Sequence, residues 1–157
     1  MIDTLEHLPF AVAIAKSAWL FPTLETMHVL ALAVVVGSVG IVDMRLLGFG
    51  SMGWSISELM QTLLPWTWGA FAVAATCGAL LFSSKASTYF ANIPFRIKIA
   101  CLLLAGVNML LFHRVSARSM DAWDQGMPPL RVRLTGAISL ALWITIVASG
   151  RWIGFTT

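Results

Sequence analysis

Four stretches of the sequence, residues 22–47, 61–83, 95–113 and 134–152, are each apolar over about the 20 residues needed to cross the hydrocarbon core of a bilayer. Little else limits the fold so strongly. In lipid every backbone N–H and C=O must find a partner within the chain, which leaves helices or closed barrels, and runs this long match helices. Breakers stand between the runs: Gly48-Phe49-Gly50 and Met52-Gly53 after the first, Asn92-Ile93-Pro94 before the third, Pro128-Pro129 before the fourth. Pro22 suits a first helical turn, where its missing N–H is harmless. Pro65 falls near the start of the second run, where it takes a first-turn position or kinks the helix.

Composition agrees. Of 157 residues 59% are hydrophobic and 11% charged, against about 25% charged in soluble domains. Mean hydropathy is +0.86. The formal charge of +3 is not gathered into a basic face; the Lys and Arg residues mostly flank apolar runs, so nucleic acid is excluded as a partner and the lipid bilayer takes its place. Residues 1–157 read as one all-α transmembrane domain, an antiparallel four-helix bundle. Residues 4–21 are apolar but short, are interrupted by Pro9 and Lys16, and place Leu5, Leu8, Val12, Ala15 and Trp19 at helical intervals, the pattern of a helix lying in the interface. The acidic start, with Asp3 and Glu6, differs from the basic opening of a secretory signal.

Trp19, Trp54, Trp123 and Trp152 stand near span ends as an aromatic belt. Small residues recur as Ala70, Ala74 and Gly78 in the second span, as Ala137, Ala141 and Thr145 in the fourth, and as Gly37 and Gly40 in the first. Such stripes let membrane helices approach closely, and they point to a tight bundle and leave room for a homo-oligomer. With four spans, Lys16, Lys85, Arg96, Lys98 and Arg151 fall on one side and Arg45, Arg114, Arg118, Arg131 and Arg133 on the other. The crowding of arginines in the 114–133 connection favours that side as cytoplasmic, with both termini outside. Ser87 and Ser119 then lie on opposite faces of a bacterial cytoplasmic membrane.

Ionisable groups within a span mark functional candidates, here Glu25, His28, Asp43 and Lys98. At about 100° per residue, Glu25, His28, Leu32, Val35, Val39 and Asp43 share a face of the first helix, and Lys98, Cys101, Ala105, Asn108 and Phe112 a face of the third. Counted from the span ends, His28, Cys77 and Cys101 lie at one depth, with Lys98 and Glu25 about one turn nearer the N-terminal surface. Asp43, Arg45, His113, Arg114 and Arg133 gather at the opposite end. His28 and His113 cannot both ligate one haem, because their positions along parallel helices differ by twelve residues, about 18 Å, whereas opposed ligating nitrogens stand about 4 Å apart. Three readings of His28 remain: a packing histidine, the single axial ligand of a haem b, or part of a copper site with Cys77 and Cys101 and, in addition, Met27. As a haem ligand, it would have its second nitrogen oriented by Glu25 and a propionate paired with Lys98.

The runs Trp19-Leu20-Phe21-Pro22, Glu25-Thr26-Met27-His28-Val29-Leu30 and Val42-Asp43-Met44-Arg45-Leu46-Leu47-Gly48 resemble the first half of a bacterial family of small four-span membrane proteins whose activity is unassigned. Pro65-Trp66-Thr67-Trp68, Phe95-Arg96-Ile97-Lys98, Ala105-Gly106-Val107-Asn108, Phe112-His113 and Gly150-Arg151 resemble its second half. A weaker resemblance links His28, Arg45, Lys98-Ile99 and His113 to the layout of HemJ-type protoporphyrinogen oxidases, with CopD-type copper proteins also similar. Ile99 stands where the HemJ type has leucine. These likenesses imply a haem b redox protein exchanging electrons with a quinone, a porphyrin or a redox protein. The alternative is a non-catalytic module within a larger complex, or a copper carrier.

Overall fold

The computed structural model describes residues 2–49, 54–116, 124 and 126–156. Among them the chain is helical with no strand: α1 (Ile2–Glu6), α2 (Pro9–Lys16), α3 (Leu20–Leu46), α4 (Ile56–Ser84), α5 (Ala86–Ala91), α6 (Ile93–Leu111), which runs into a π-helical turn at Phe112–Ser116, and α7 (Leu130–Thr156). Four helices, α3, α4, α6 with its extension to Arg114, and α7, are long and apolar enough to cross a membrane. Their outer faces carry exposed Val29, Leu30, Leu103, Leu110 and Ile144, and α6 buries none of its 19 residues. Only lipid solvates such a surface without cost. The chain is an all-α membrane bundle.

Helix boundaries follow capping chemistry more closely than hydropathy. α3 begins at Leu20, two residues before Pro22, because Ser17 Oγ accepts the Leu20 N–H at 3.1 Å. It ends in a Schellman turn: Gly48, at φ +89°, donates its N–H to Arg45 O at 3.1 Å and Phe49 to Met44 O at 3.0 Å. α4 begins at Ile56, five residues before the apolar run, on a capping box in which Ser55 Oγ accepts from Glu58 N and Glu58 Oε2 accepts from Ser55 N. Pro65 therefore lies inside a continuous helix and not in its first turn. Asn92 caps α6 through Phe95 N at 3.2 Å and donates from Nδ2 to Thr156 Oγ1 at 2.9 Å, which ties the start of α6 to the end of α7. α7 starts directly after Pro129, so Arg131 and Arg133 occupy its first turn.

The segment expected as one interfacial helix over residues 4–21 is two short helices. Pro9 opens the second at its first turn, and the chain breaks at Ser17 before α3. α2 packs on α4 and α3, and α1 packs where α4 meets α5. Glu6 there accepts the Ser87 N–H at 2.7 Å and the Ser87 hydroxyl at 2.6 Å, and these bonds hold its carboxyl below the ordinary range.

α3 packs on α4, α6 packs on α7, and the two pairs meet through α3 and α7. α4 and α6 flank the remaining side. The α3–α7 crossing depends on Gly136, where a Cβ would stand 2.9 Å from Leu46 Cβ and 3.1 Å from Asp43 O. Two of the expected small stripes lie elsewhere. Ala137, Ala141 and Thr145 are exposed, and Gly37 and Gly40 have no neighbour within 4 Å of a Cβ. The inward stripe of α7 instead runs through Val132, Gly136, Ser139, Trp143 and Ile146, all buried or half-buried.

The two ends of the bundle differ. The first pole gathers the start of α3, the end of α4, α5, the start of α6 and the end of α7. The second is closed by Leu46, Ile56, Phe112 and Val132, one from each spanning segment. Outside it, Asp124 accepts the Ser57 N–H at 2.9 Å and the Ser57 hydroxyl. Burial pushes the Asp124 carboxyl upward, but these bonds outweigh it and the net direction is down. Gly50, Met52, Gly53, Arg118, Ser119 and Trp123 lie outside the described residues.

Candidate functional site

Helix α3 carries both candidate regions, one towards each pole. His28 and Asp43 are fifteen residues apart, about 22 Å along the axis. The first-pole region is built on the small stripe of α4. His28 Nδ1 donates to Ala74 O at 2.7 Å, and its Cε1 lies 3.0 Å from where a Gly78 Cβ would stand, so any side chain at residue 78 would crowd the imidazole against α4. The expected orienting partner, Glu25, is exposed and does not make this bond; a backbone carbonyl of the neighbouring helix makes it instead. The consequence for the ring is the same. With the proton held on Nδ1, the neutral imidazole presents the Nε2 lone pair.

Lys98 and Glu25 lie within electrostatic reach of His28. Lys98 is half-buried and lies along α7, its Nζ 3.5 Å from where a Gly150 Cβ would stand. Around them Phe82, Tyr89 and Phe95 stack, with Phe82 and Phe95 centroids 5.2 Å apart. Burial first, then the nearby Glu25 carboxylate, pushes the Tyr89 hydroxyl above its ordinary pKa. Cys77 is buried, Cys101 half-buried and Met27 exposed. Among the described residues no three His, Cys, Asp or Glu side chains stand close enough to hold a metal, so His28, Cys77 and Cys101 are not gathered into one ligand set.

The second-pole region is a cleft of about 340 Å³ between α4 and α6, floored by α3 and α7. Trp68 and Phe71 stand at its α4 rim, half-exposed and edge to face with centroids 6.0 Å apart. Polar groups cross its walls in pairs. Thr67 Oγ1 lies 2.8 Å from Ser38 Oγ, and Asn108 Nδ2 donates to Thr135 O at 3.1 Å. Asp43 lines the floor, 3% exposed, with a hydrogen bond to Ser139. Its second oxygen, Oδ2, is the one buried side-chain N or O atom among the described residues without a partner.

The sequence groups Asp43 in a boundary cluster with Arg45, His113, Arg114 and Arg133. Only His113 joins it at the cleft, its Nδ1 donating to Met109 O across the π turn at 2.9 Å. Arg45 turns outward to Trp54 O and Asp124 O, and Arg133 donates to Leu47 O at 3.2 Å. Ser38, Thr67, Ser139 and Trp143 went unread as site residues. The signal was available in the seven-residue spacing of Val132, Ser139 and Ile146, which marks the inward face of α7.

A family model for a family of unknown function, DUF6644, matches residues 14–156. The chain belongs to the DUF6644 family. That match spans all four long helices, both candidate regions and the 114–129 connection, and leaves out α1. No curated protein and no solved structure matches the chain.

Proposed function

We propose that the protein is a small redox protein of the bacterial cytoplasmic membrane that carries haem b on His28. The observation that carries this reading is the Nδ1–H···O=C bond from His28 to Ala74, which orients the ring on a rigid helix and would leave Nε2 to hold the haem iron. Haem supplies one-electron exchange when bound. The chain's own part is to fix the imidazole tautomer through Ala74, to leave room for the ring at Gly78, and to offer the Lys98 ammonium to an anionic propionate. Glu25, exposed at the same pole, limits the positive charge that Lys98 and Lys85 bring there. Electrons would pass to a quinone, a porphyrin or a redox protein, and the arginine-rich 114–133 connection would face the cytoplasm.

An absorbance spectrum of the detergent-purified protein, expressed with ample haem, tests the proposal. An intense Soret band is expected in the wild type, absent in His28→Ala, weakened in Lys98→Ala and unchanged in His113→Ala. A colourless wild type would return His28 to a packing role. Haem lost from His113→Ala but kept in His28→Ala would move the site to the second pole.

A further inference from the structure

The cleft between α4 and α6 has no part in haem ligation at His28, yet it combines three features of a ligand site. Its volume of about 340 Å³ lies within the range of small-molecule pockets, ~300–1,000 Å³. Its mouth is lateral: Trp68 and Phe71 on α4 and Gly106 on α6 stand at the rim on surfaces that face lipid, while Leu46 and Phe112 close the second pole below. A molecule therefore enters from the bilayer. Finally, the floor holds Asp43, whose Oδ2 is buried without a partner although every other buried side-chain N or O atom among the described residues has one. An unsatisfied buried oxygen of this kind is destabilising, and a hydrogen-bonding ligand relieves it.

The surroundings restrict that ligand. An acyl chain would fill the apolar walls but leave Oδ2 without a bond. An anionic head would meet the Asp43 carboxyl, and a cationic head would have to leave water for hydrocarbon to reach the lateral mouth. A neutral head with a hydroxyl meets neither obstacle. Aromatic walls from Trp68, Phe71 and Trp143 suit a flat ring, and the rim on α4 and α6 lets an apolar tail leave into lipid. We infer that the cleft binds a lipid-borne ring compound with a neutral hydroxyl head and an apolar tail, the chemistry of a quinol, with that hydroxyl hydrogen-bonded to Asp43.

The test is equilibrium binding of radiolabelled decylubiquinol, kept reduced under argon, to the full chain in phosphatidylcholine nanodiscs, against empty discs. Wild type should bind saturably, one per chain. Asp43→Asn, which keeps the side-chain shape, should weaken binding at least about tenfold, the effect of one lost charge-assisted hydrogen bond. Ala105→Trp, which fills the cleft from the α6 wall, should abolish it, and circular dichroism should show both variants as helical as wild type. His28→Ala should bind as wild type, so failure of haem binding and failure of this site are separately visible. Three results would each overturn the inference: no saturable binding above empty discs, equal affinity in wild type and both cleft variants, or Asp43-dependent binding of tetraphenylphosphonium with none of the quinol.

Discussion

Replacing Gly136 by alanine should separate α3 from α7, and the structure allows the effect to be sized. The new Cβ would stand 2.9 Å from Leu46 Cβ and 3.1 Å from Asp43 O. Non-bonded carbon atoms rest at about 3.5–4.0 Å, so the helices must part by about 0.6–1 Å. Neither obstacle is the far end of a flexible side chain; one is backbone and the other a Cβ. Overpacking of this kind costs about 1–3 kcal/mol, against which alanine returns up to about 1 kcal/mol of helix propensity. With the full offset the net expectation is a loss of up to about 2 kcal/mol, and of about 1–3 kcal/mol relative to a glycine-to-alanine change in open space. Gly37→Ala is the matched control, because nothing lies within 4 Å of its Cβ and only the propensity gain remains. Denaturation by sodium dodecyl sulfate, followed by the loss of helical circular dichroism and by total tryptophan fluorescence, reads both. If Gly136→Ala proved as stable as Gly37→Ala, the close approach of α3 and α7 would be wrong, and with it the floor of the cleft.

Other expectations follow from single contacts. Gly78→Val should push the His28 ring off Ala74 and lower the Soret absorbance per chain, while Gly69→Val, with open space around it, should leave the spectrum unchanged. Thr67→Val removes the hydroxyl that joins α4 to Ser38 and should cost about 0.6 kcal/mol, as transmembrane hydrogen bonds do on average, in the same detergent titration. Asp124 has a lowered folded-state pKa, so its bond to Ser57 is fully present above the unfolded carboxylate pKa, near 3.9, and is lost as pH falls through the folded value. Protection of the Ser57 amide from hydrogen exchange, measured against the intrinsic rate at each pH, should fall over that acid window, and in Asp124→Ala it should be low already at neutral pH. Thr88→Cys, exposed on α5, should react with an impermeant thiol reagent in intact cells while Ser119→Cys should not; equal labelling would reject the orientation with the 114–133 connection inside.

Much of the fold was legible because lipid imposes simple requirements. Run length fixed the number of spans, and alternating direction followed from the connections. Gly48 marked the end of α3, where a positive φ was needed for the Schellman turn. The inward faces of the first and third spans were also legible from helical spacing: Val35, Val39 and Asp43, with Asn108 and Phe112, all line the cleft. Helix starts were less legible from hydropathy, since Ser55 and Glu58 cap a turn of α4 that is too polar to look membrane-embedded.

Tertiary structure decided which helices touch and which polar atoms are thereby left over. Small residues at positions 37, 40, 137, 141 and 145 follow the same spacing as those at 70, 74 and 78, but only a partner helix makes such a stripe an interface, and the partner met α3 and α7 at Gly136. His28 has a carboxylate on its own face one turn away, yet its proton goes to Ala74 on α4, because the ring turns towards the helix that is close and not towards the side chain that is near in sequence. Asp43 beside Arg45 looks like half of a surface pair. Two residues along a helix point about 200° apart, so the guanidinium went outward to the connection while the carboxyl went inward to the cleft, where one of its oxygens has nothing to bind.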